Sequence, residues 1–405
     1  MSFSAHRRVW LGFAWLALWV VVDAEDAPER LTGEWGGGRT AWEQRGVSLF
    51  ANYTVDGLRN WNGGYAQGNT LQGAAEAGLA FDLEKTWGWR GASLYLSGMR
   101  LHGDDPSAEL VGDYNYVSNI VGENTSRVFQ VWAAWQREEF SVKGGLLTFD
   151  DMFMVSETAQ LFINSGFGPM PTISGNTSTP IWPISALGAV AGWVDEAGWS
   201  LHAGVFDGDG GDELSNRRGT TIRLDADEGA LAVLEAGKVF SQTTHATSVR
   251  IGAWFHSGYF QDYASGEERR GNEGFFAVID RQVSQANASG PVWRMFARAG
   301  HAASEARNVV RSHADVGVSA SGLIAGRPDD VVGVAICRTE FGSDYLAARA
   351  AGESVVSGRE TVIEATYSIA LGRGVTLQPD LQYVFDPHES GRDAFLGILR
   401  VYAEF

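Results

Sequence analysis

The side chains most able to do chemistry are few, and they are dispersed along the chain. An acidic run, DGDGGDE at 207–213, could coordinate calcium through Asp207, Asp209 and Asp212. The run lacks the glycine spacing and the distal glutamate of an EF-hand loop, so an acidic, solvated loop is the better interpretation. The sequence therefore predicts no metal centre, and structural calcium at acidic loops stays an open alternative.

Catalytic and cofactor-binding motifs are missing as well. The eight histidines follow no ligand spacing, and none of G-x-S-x-G, H-E-x-x-H or G-x-x-x-x-G-K-[ST] occurs. A serine–histidine pair brought together only by the fold is left open. The pattern favours a protein that is not an enzyme and that needs no cofactor.

Composition narrows the class further. The 15 Trp, 21 Phe and 51 Gly among 405 residues are typical of an all-β chain rich in turns. The formal net charge of −18 argues against a nucleic-acid partner, which would require a basic face. Cys337 is the single cysteine, which excludes a disulfide within the chain and a cysteine zinc cluster.

The beginning of the chain has the pattern of a signal peptide, residues 1–24. Arg7 and Arg8 form a basic region, an apolar stretch follows at 9–22, and small residues precede a cleavage site after Ala24. An N-terminal anchor is the alternative, although fourteen apolar residues are short for a membrane span. No later run of eighteen apolar residues follows, so we expect an exported protein that is either soluble or a β-barrel.

Alternating polar and apolar residues must position any functional side chains, and they predict about sixteen strands. These lie near 47–57, 74–84, 91–101, 127–137, 140–149, 186–194, 198–206, 230–240, 247–257, 273–282, 292–300, 314–322, 331–340, 361–371, 374–384 and 394–405. Long connections at 57–74, 102–126, 150–185 and 207–229 alternate with short turns. This arrangement is typical of an antiparallel transmembrane β-barrel with short periplasmic turns, here spanning 47–405.

The two faces of these strands indicate which side meets lipid. A barrel of sixteen strands is too wide for side chains to fill, so its polar face lines water and its apolar face meets hydrocarbon. In RVFQVWAAWQ, Phe129, Val131, Ala133 and Trp135 are assigned to the outer face. Aromatic residues at the short turns would form an interfacial girdle: Trp87, Trp89, Phe140, Trp193 and Trp199. The alternative is a soluble β protein with ordinary core aromatics.

The connection 150–185 is unusual for a solvent-exposed loop. It carries four of the ten prolines together with Phe153, Phe162 and Phe167, and these apolar side chains need a surface to pack on. We predict that it folds inward as a constriction loop, with an external lid or subunit contact as the alternative. Residues 25–46 are predicted as a periplasmic segment with a short helix, for which Thr40 is a plausible N-cap.

Three stretches resemble the OprB family of carbohydrate-selective porins. They are LTGEWGGGRTAWEQRGV at 31–47, QLFINSGFGPMP at 160–171 with Phe162, Asn164 and Phe167, and VIEATYSIALGRGVTLQPDLQYVFDP at 362–387. The segment KGGLLTFDDMF departs from the family pattern because Lys143 is placed earlier, which leaves the anchoring of the loop undefined. Pro379 within a strand requires a bulge or special pairing.

The resemblance implies passive, sugar-selective diffusion across the bacterial outer membrane. A general or anion-preferring porin, an outer-membrane barrel enzyme and an exported soluble binding protein are the alternatives. Sugars call for paired donors and acceptors with aromatic surfaces. Candidate substrate-contacting residues that line the pore are Glu76, Asp82, Arg100, Gln130, Trp132, Arg250, Trp254, Arg294, Arg298, Glu364, Gln378, Asp380 and Gln382.

The last strand ends on Phe405, directly at the chain terminus. In a closed barrel this strand pairs with the first and removes both sheet edges. A terminal Phe after alternating apolar residues resembles the assembly signal of outer-membrane proteins. The expected partners are therefore the barrel-assembly machinery, outer-membrane lipid and lipopolysaccharide, and small sugars, with a homotrimer as a further option.

Overall fold

A computed structural model describes residues 30–211, 214, 216–225, 227–240, 245–283, 290–352 and 356–405. The predicted signal peptide, residues 1–24, lies outside the described residues. Within these ranges, every helix is too short or too polar to cross a membrane.

The described chain forms one closed antiparallel barrel of sixteen strands, each paired with its neighbours in sequence and the last paired with the first. This confirms the predicted fold class and strand number. The strands are β1 Val47–Asn62, β2 Gly68–Asp82, β3 Ala92–Gly103, β4 Thr125–Arg137, β5 Phe140–Leu147, β6 Ala186–Val194, β7 Trp199–Asp207, β8 Ala230–Phe240, β9 Thr247–Gln261, β10 Glu268–Gln282, β11 Val292–Ala302, β12 Val310–Ser321, β13 Val331–Phe341, β14 Arg359–Gly372, β15 Val375–Phe385 and β16 Ala394–Glu404.

Four short α-helices lie between or before the strands. They are α1 Gly38–Gln44, α2 Leu83–Trp87, α3 Pro171–Ser174 and α4 Ser343–Ala351. Single 3-10 turns occur at Trp35–Gly37, Ala159–Leu161 and Ser165–Phe167, and a π turn occurs at Ser107–Val111.

The barrel closes through β1 and β16, where Tyr53 lies opposite Ala403 and Asp56 lies opposite Arg400. The backbone N–H of Phe405 donates to the carbonyl of Ala51 at 2.9 Å, so the terminal residue is held by the first strand. The chain end thus completes the wall and leaves no free sheet edge there.

The outer face is apolar, as predicted. Leu381, Leu399 and Val334 are about half exposed on this face because no protein layer covers it. At the short-turn end, Trp87 and Trp89 are 63% and 61% exposed, as an aromatic girdle at a membrane interface requires.

Phe129 departs from the predicted alternation. Between Leu96 and Gly98 the β3–β4 register shifts, so that Phe129 and Gln130 together oppose a single residue of β3. Such a bulge turns Phe129 inward, where it packs with Met99 and Leu101. The assignment of Phe129 to the outer face is therefore wrong.

The connection between β1 and β2 also differs from the prediction. Both strands continue to a five-residue link, 63–67, instead of ending at a long loop 57–74. Gly63 and Gly64 have φ of 74° and 62°, which supplies the left-handed backbone that this turn requires. The long connections after β3, β5 and β7 do occur, at 104–124, 148–185 and 208–229.

The segment before β1 lies against the short-turn end of the barrel and contains α1, as expected. Thr40 lies inside this helix rather than at its start, and Gly37 is the N-cap residue. Arg30 joins Glu43 of α1 at 3.0 Å and Glu404 of β16 at 3.2 Å. The segment is thereby attached to the closing strand.

Pro379 is accommodated without a bulge. It pairs with Leu399 of β16, whereas the β14–β15 ladder skips from the Thr366–Asp380 pair to the Ile369–Leu377 pair with no change of register. A missing stretch of ladder thus replaces the bulge that the sequence suggested.

Candidate functional site

The connection 148–185 folds into the barrel, where β14 and β15 hold it against the inner wall. Backbone N–H groups of Ile163 and Asn164 donate to the two carboxylate oxygens of Glu364 at 2.6 and 2.9 Å. The Asn164 side chain donates to Gln382 Oε1 at 3.1 Å, and Gln378 donates to the carbonyl of Leu161 at 2.8 Å. The loop motif and the C-terminal strand motifs therefore bind each other.

Aromatic packing fixes the same part of the loop. Phe162 lies 5.0 Å from Phe167 and 5.9 Å from Phe296 of β11, measured between ring centroids. All three side chains are buried, and Asn164 between them caps the following 3-10 turn by accepting from the N–H of Gly166. Because the loop has this apolar underside, it stays on the wall rather than in solvent.

Charged residues hold the first part of the loop. Arg298 of β11 makes a bidentate ion pair with Asp315 of β12 and donates to the carbonyls of Met154 and Gly168 at 3.2 and 2.8 Å. Both side chains of the ion pair are buried. Their mutual charge and the carbonyl acceptors offset the loss of hydration that burial imposes.

A neighbouring set of charges repeats this arrangement on β8–β10. Arg250 lies 3.2 Å from Asp280 and 3.8 Å from Glu235, and it also donates to the carbonyl of Val155. Glu235 accepts from the backbone N–H of Met154 at 3.2 Å. The inward charges on this side of the barrel thus bind the loop backbone.

A second inward loop, 104–124, joins the first and was not predicted. The N–H of Asn119 donates to the carbonyl of Ile163 at 2.8 Å, and the N–H of Ser165 donates to the carbonyl of Tyr116 at 2.9 Å. Buried Leu110, Val111 and Val117 are the apolar signal that could have identified it.

The tip of this second loop is held by an ion pair between the first and last strands. Arg400 donates to both oxygens of Asp56 at 2.8 Å and to Asn119 Oδ1 at 2.8 Å. Ser118 donates to Asp56 Oδ2 at 2.7 Å. Closure of the barrel and placement of the second loop therefore share one polar cluster.

The inner surface next to β15 around the barrel, on β16 and β1–β3, is partly exposed. We call the inward side chains Phe50, Glu76, Tyr95 and Tyr402, on β1, β2, β3 and β16, the open wall. Tyr95 donates to Glu76 Oε1 at 3.1 Å, and its ring stacks on that of Phe50 with centroids 5.3 Å apart. This surface combines hydroxyl, carboxylate and aromatic groups within reach of a solute.

Trp132, beside the open wall, is enclosed on both faces. The Tyr95 ring stacks on one side at 4.9 Å, and the Lys143 ammonium lies 4.1 Å from the ring centroid. Its indole N–H donates to Gln130, which in turn donates to Asp151 at 2.5 Å. The hypothesis that a sugar stacks on Trp132 is therefore not compatible with this packing.

The predicted pore-lining residues thus fall into distinct environments. Glu76 is partly exposed on the open wall, and Trp254 is buried in the apolar cluster beneath the loop. Arg294 is partly buried and donates to Ser321 at 3.2 Å. The structure brings the remaining inward residues against the loop and its base: Gln130, Trp132, Arg250, Arg298, Glu364, Gln378, Asp380 and Gln382.

Two members of the predicted set lie elsewhere. Asp82 caps α2 at the short-turn end, accepting from the N–H groups of Glu84 and Lys85 at 3.0 and 3.2 Å. Arg100 lies opposite Ala75 and Ser126 in register, which places it on the outer face of the barrel. Its neighbours Met99 and Leu101 are buried on the inner side, and regular alternation along β3 therefore turns Arg100 outward.

Asp150 stands at the base of the constriction loop. Its carboxylate accepts from the backbone N–H of Trp182, with the closer oxygen at 3.1 Å, which ties the two ends of the loop together. Loss of hydration in the packed loop base, and then the charge of Asp151, raise the pKa of Asp150 to about 7. The carboxyl group of Asp150 therefore gains or loses its proton near neutral pH.

The acidic run at 207–213 lies outside this site. Asp207 and Asp209 line a small hollow with Glu228, while Asp212 is not among the described residues. Within the described ranges, no three His, Cys, Asp or Glu side chains are arranged to hold a metal ion.

A closed sixteen-stranded barrel with an apolar exterior, a polar interior and an inward loop that narrows it is a porin. The model of the carbohydrate-selective porin family OprB matches residues 66–405. The chain belongs to this family, and it is a carbohydrate-selective porin of the bacterial outer membrane. This confirms the resemblance seen in the three sequence motifs.

Individual relatives agree with this placement. The putative porin QuiX of Acinetobacter baylyi is 21% identical over 88% of both chains. Porin B of Pseudomonas aeruginosa is 21% identical over 88% of this chain and 87% of its own length. The high-pH structure of Pseudomonas putida OprB superposes with a TM-score of 0.85 at 21% identity, covering 94% of this chain and 99% of the other, and it supports the fold.

Proposed function

We propose that small sugars cross this porin by passive diffusion along the open wall, between it and the constriction loop. The observation that carries the proposal is the attachment of the loop to β14 and β15 through Glu364 and Gln382. With the loop fixed to β14 and β15, Phe50 and Tyr95 remain partly exposed on β1 and β3.

The chemistry of the open wall suits a neutral polyhydroxylated solute. Glu76 and the Tyr402 hydroxyl supply acceptors and a donor for vicinal hydroxyl groups, and Asp151 is exposed at the facing loop. The ring of Phe50 offers an apolar surface for sugar C–H groups. Because these contacts are weak and sit at several positions, a sugar can enter and leave without being trapped.

The charges on this side favour a sugar porin over an anion-preferring one. Glu76 and Asp151 are both acidic, whereas Arg400 is neutralised by Asp56. A passage lined by carboxylates attracts cations and repels anions. Fold and family support a channel rather than a catalyst.

Planar-bilayer recordings test this proposal. Glucose, arabinose and a disaccharide are added in turn to the wild-type channel in a potassium chloride gradient. We expect small sugars to reduce the ion current and the reversal potential to indicate cation preference. Unchanged current with every sugar would contradict sugar binding in the passage, and a chloride-selective reversal potential would favour the anion porin.

A pair of variants locates the sugar contact. Tyr95→Ala removes the central aromatic group of the open wall, while Tyr259→Ala removes an exposed aromatic side chain of β9. We expect the first to weaken the current block by sugar and the second to leave it unchanged. Equal block in both variants would place the sugar contact away from the open wall.

A further inference from the structure

The outer face of β1–β4 differs from the rest of the lipid-facing surface. It carries a hollow of about 670 Å³ whose floor is formed by small side chains, among them Ala75, Ala77 and Gly98. Register pairing places these residues on one outward row or directly beside it. The hollow opens toward the hydrocarbon rather than into the passage.

Three arginines line this hollow; Arg127 is buried, whereas Arg100 and Arg218 are exposed. Arg100 is exposed and makes a 3.3 Å hydrogen bond to Ser126, and its guanidinium has no carboxylate within ion-pair distance among the described residues. Arg218, from the connection after β7, is also exposed at the hollow. A cation on the lipid-facing wall costs free energy unless an anion approaches it.

Arg218 is held in place by the backbone around it. Its carbonyl accepts from the N–H of Val128 at 2.9 Å, where the edge of β4 extends beyond β5. Gly219 has a φ of 62°, and a Cβ there would lie 2.3 Å from the carbonyl oxygen of Val128. The connection therefore lies directly on the strand and presents Arg218 at a defined position.

The position along the barrel axis identifies the leaflet. Arg100 lies near the end of β3, three residues before Gly103, where the long connection 104–124 begins. Long connections mark the outer side of the membrane. The arginines therefore lie at the level of the outer-leaflet headgroups, and the small-residue floor extends below them toward the acyl chains.

We propose that this hollow binds a phosphorylated, acylated lipid of the outer leaflet, with its phosphate at Arg100 and Arg218 and an acyl chain along Ala75 and Ala77. Arginine forks suit phosphate oxygens, and the floor supplies apolar contact for the chain.

A second copy of the chain fits this surface less well. The charged side chains that β1–β4 direct outward are Arg59, Arg100 and Arg137, and all are basic. Two copies meeting through this face would bring like charges together. An anionic lipid complements the same charges.

Native mass spectrometry of the detergent-purified barrel tests the proposal. The probe is hexa-acylated lipid A with two phosphates. The test variant is the double substitution Arg100→Gln with Arg218→Gln, and the matched control is Arg338→Gln. Arg338 is also exposed near the upper end of a strand but is already paired with Glu340 at 3.1 Å.

Each basic residue near an anionic lipid strengthens binding about fivefold. The double variant should therefore bind lipid A about 30-fold more weakly than wild type. The control should bind like wild type. Ala77→Leu, which fills part of the floor without changing charge, should also weaken binding. Retention of the boiling-dependent shift in gel migration verifies that each variant is folded.

Several results would overturn the proposal. One is equal lipid A binding by the double variant and wild type. Another is displacement of lipid A by inorganic phosphate at the same concentration, which would indicate a simple anion site. A third is cross-linking of the lipid-free Ala75→Cys variant into oligomers through its introduced cysteine, which would assign the hollow to a second copy.

Discussion

The two sides of the barrel interior use polar side chains in opposite ways. On β11–β15, Arg298, Glu364 and Gln382 are buried and bind loop backbone. On the open wall, Glu76 and Tyr95 are partly exposed and bind each other. One side therefore positions the constriction, and the other presents the surface that a solute contacts.

This difference shows that an inward orientation does not define a pore-lining role. A barrel this wide must place something polar against its interior side chains. Water does so on one side, and the N–H and C=O groups of the loop do so on the other. Four predictions test that division, ordered from the largest expected effect to the smallest.

The largest effect is expected from Arg298→Met. After this substitution the buried carboxylate of Asp315 keeps its contact with His313 at 3.1 Å, but it loses the guanidinium of Arg298. Breaking a buried ion pair costs about 3–5 kcal/mol of folding free energy. Urea unfolding of the purified barrel, followed by gel migration without boiling, measures the loss.

Arg311→Met is the control for that measurement. Arg311 is exposed and paired with Glu305 at 2.7 Å, so its removal should cost no more than about 1 kcal/mol. Equal unfolding midpoints for the two variants would mean that Arg298 does not anchor the loop.

A smaller effect, confined to the loop, is expected from Glu364→Ala. The substitution removes the acceptor of two buried backbone N–H groups, and each N–H left without a partner costs about 1–3 kcal/mol. The released loop should give larger and noisier single-channel currents and a weaker block by sugars. Glu340→Ala, at an exposed position on β13, is the control, and a wild-type current from Glu364→Ala would contradict the anchoring role.

On the open wall, Glu76→Gln should change sugar binding but not the loop. Loss of one charged acceptor is expected to raise the glucose concentration for half-maximal block about 3- to 10-fold. Single-channel noise should stay at the wild-type level. Glu84→Gln, at the exposed short turn, serves as the control; if it matches Glu76→Gln, the open wall does not contact the sugar.

The smallest effect concerns the base of the loop and its dependence on pH. Asp150 has a pKa of about 7 in the folded loop against 3.8 for an ordinary aspartate. Because the folded loop holds the proton more tightly, this contribution to loop stability is full below about pH 4 and falls as the pH rises to about 7.

Hydrogen exchange at the Trp182 amide, corrected for the intrinsic pH dependence, measures that change. We expect opening of the loop to be more frequent at pH 7.5 than at pH 5. Asp150→Asn should abolish the difference, and Asp151→Asn should move the transition to lower pH by removing a neighbouring charge. A pH-independent wild type would contradict a raised pKa at this position.

The strands could be predicted because one face meets lipid and the other does not, which imposes a period of two on residues such as those of β14 and β15. The inward path of 150–185 could be predicted from Phe162 and Phe167, which need an apolar surface. Sequence period reports the direction of a side chain, but it does not report which loop covers it.

The remaining errors have separate physical origins. Phe129 lies on the inner face because the bulge in β4 changes the side on which the residues before it lie. Arg100 lies on the outer face because β3 alternates regularly, with Met99 and Leu101 buried inside. The loop 104–124 was missed because its few apolar residues are dispersed and its partner, Asp56, lies about sixty positions away in the sequence.

The bond between Ile163 and Glu364 joins positions 201 apart in the chain. The loop comes in the first half of the sequence, and its acceptor lies in β14, the third strand from the end. The loop can therefore reach its final position only when β14 and the early strands are part of the same barrel. The narrow passage depends on this long-range contact, so a barrel without it would be wide and unselective.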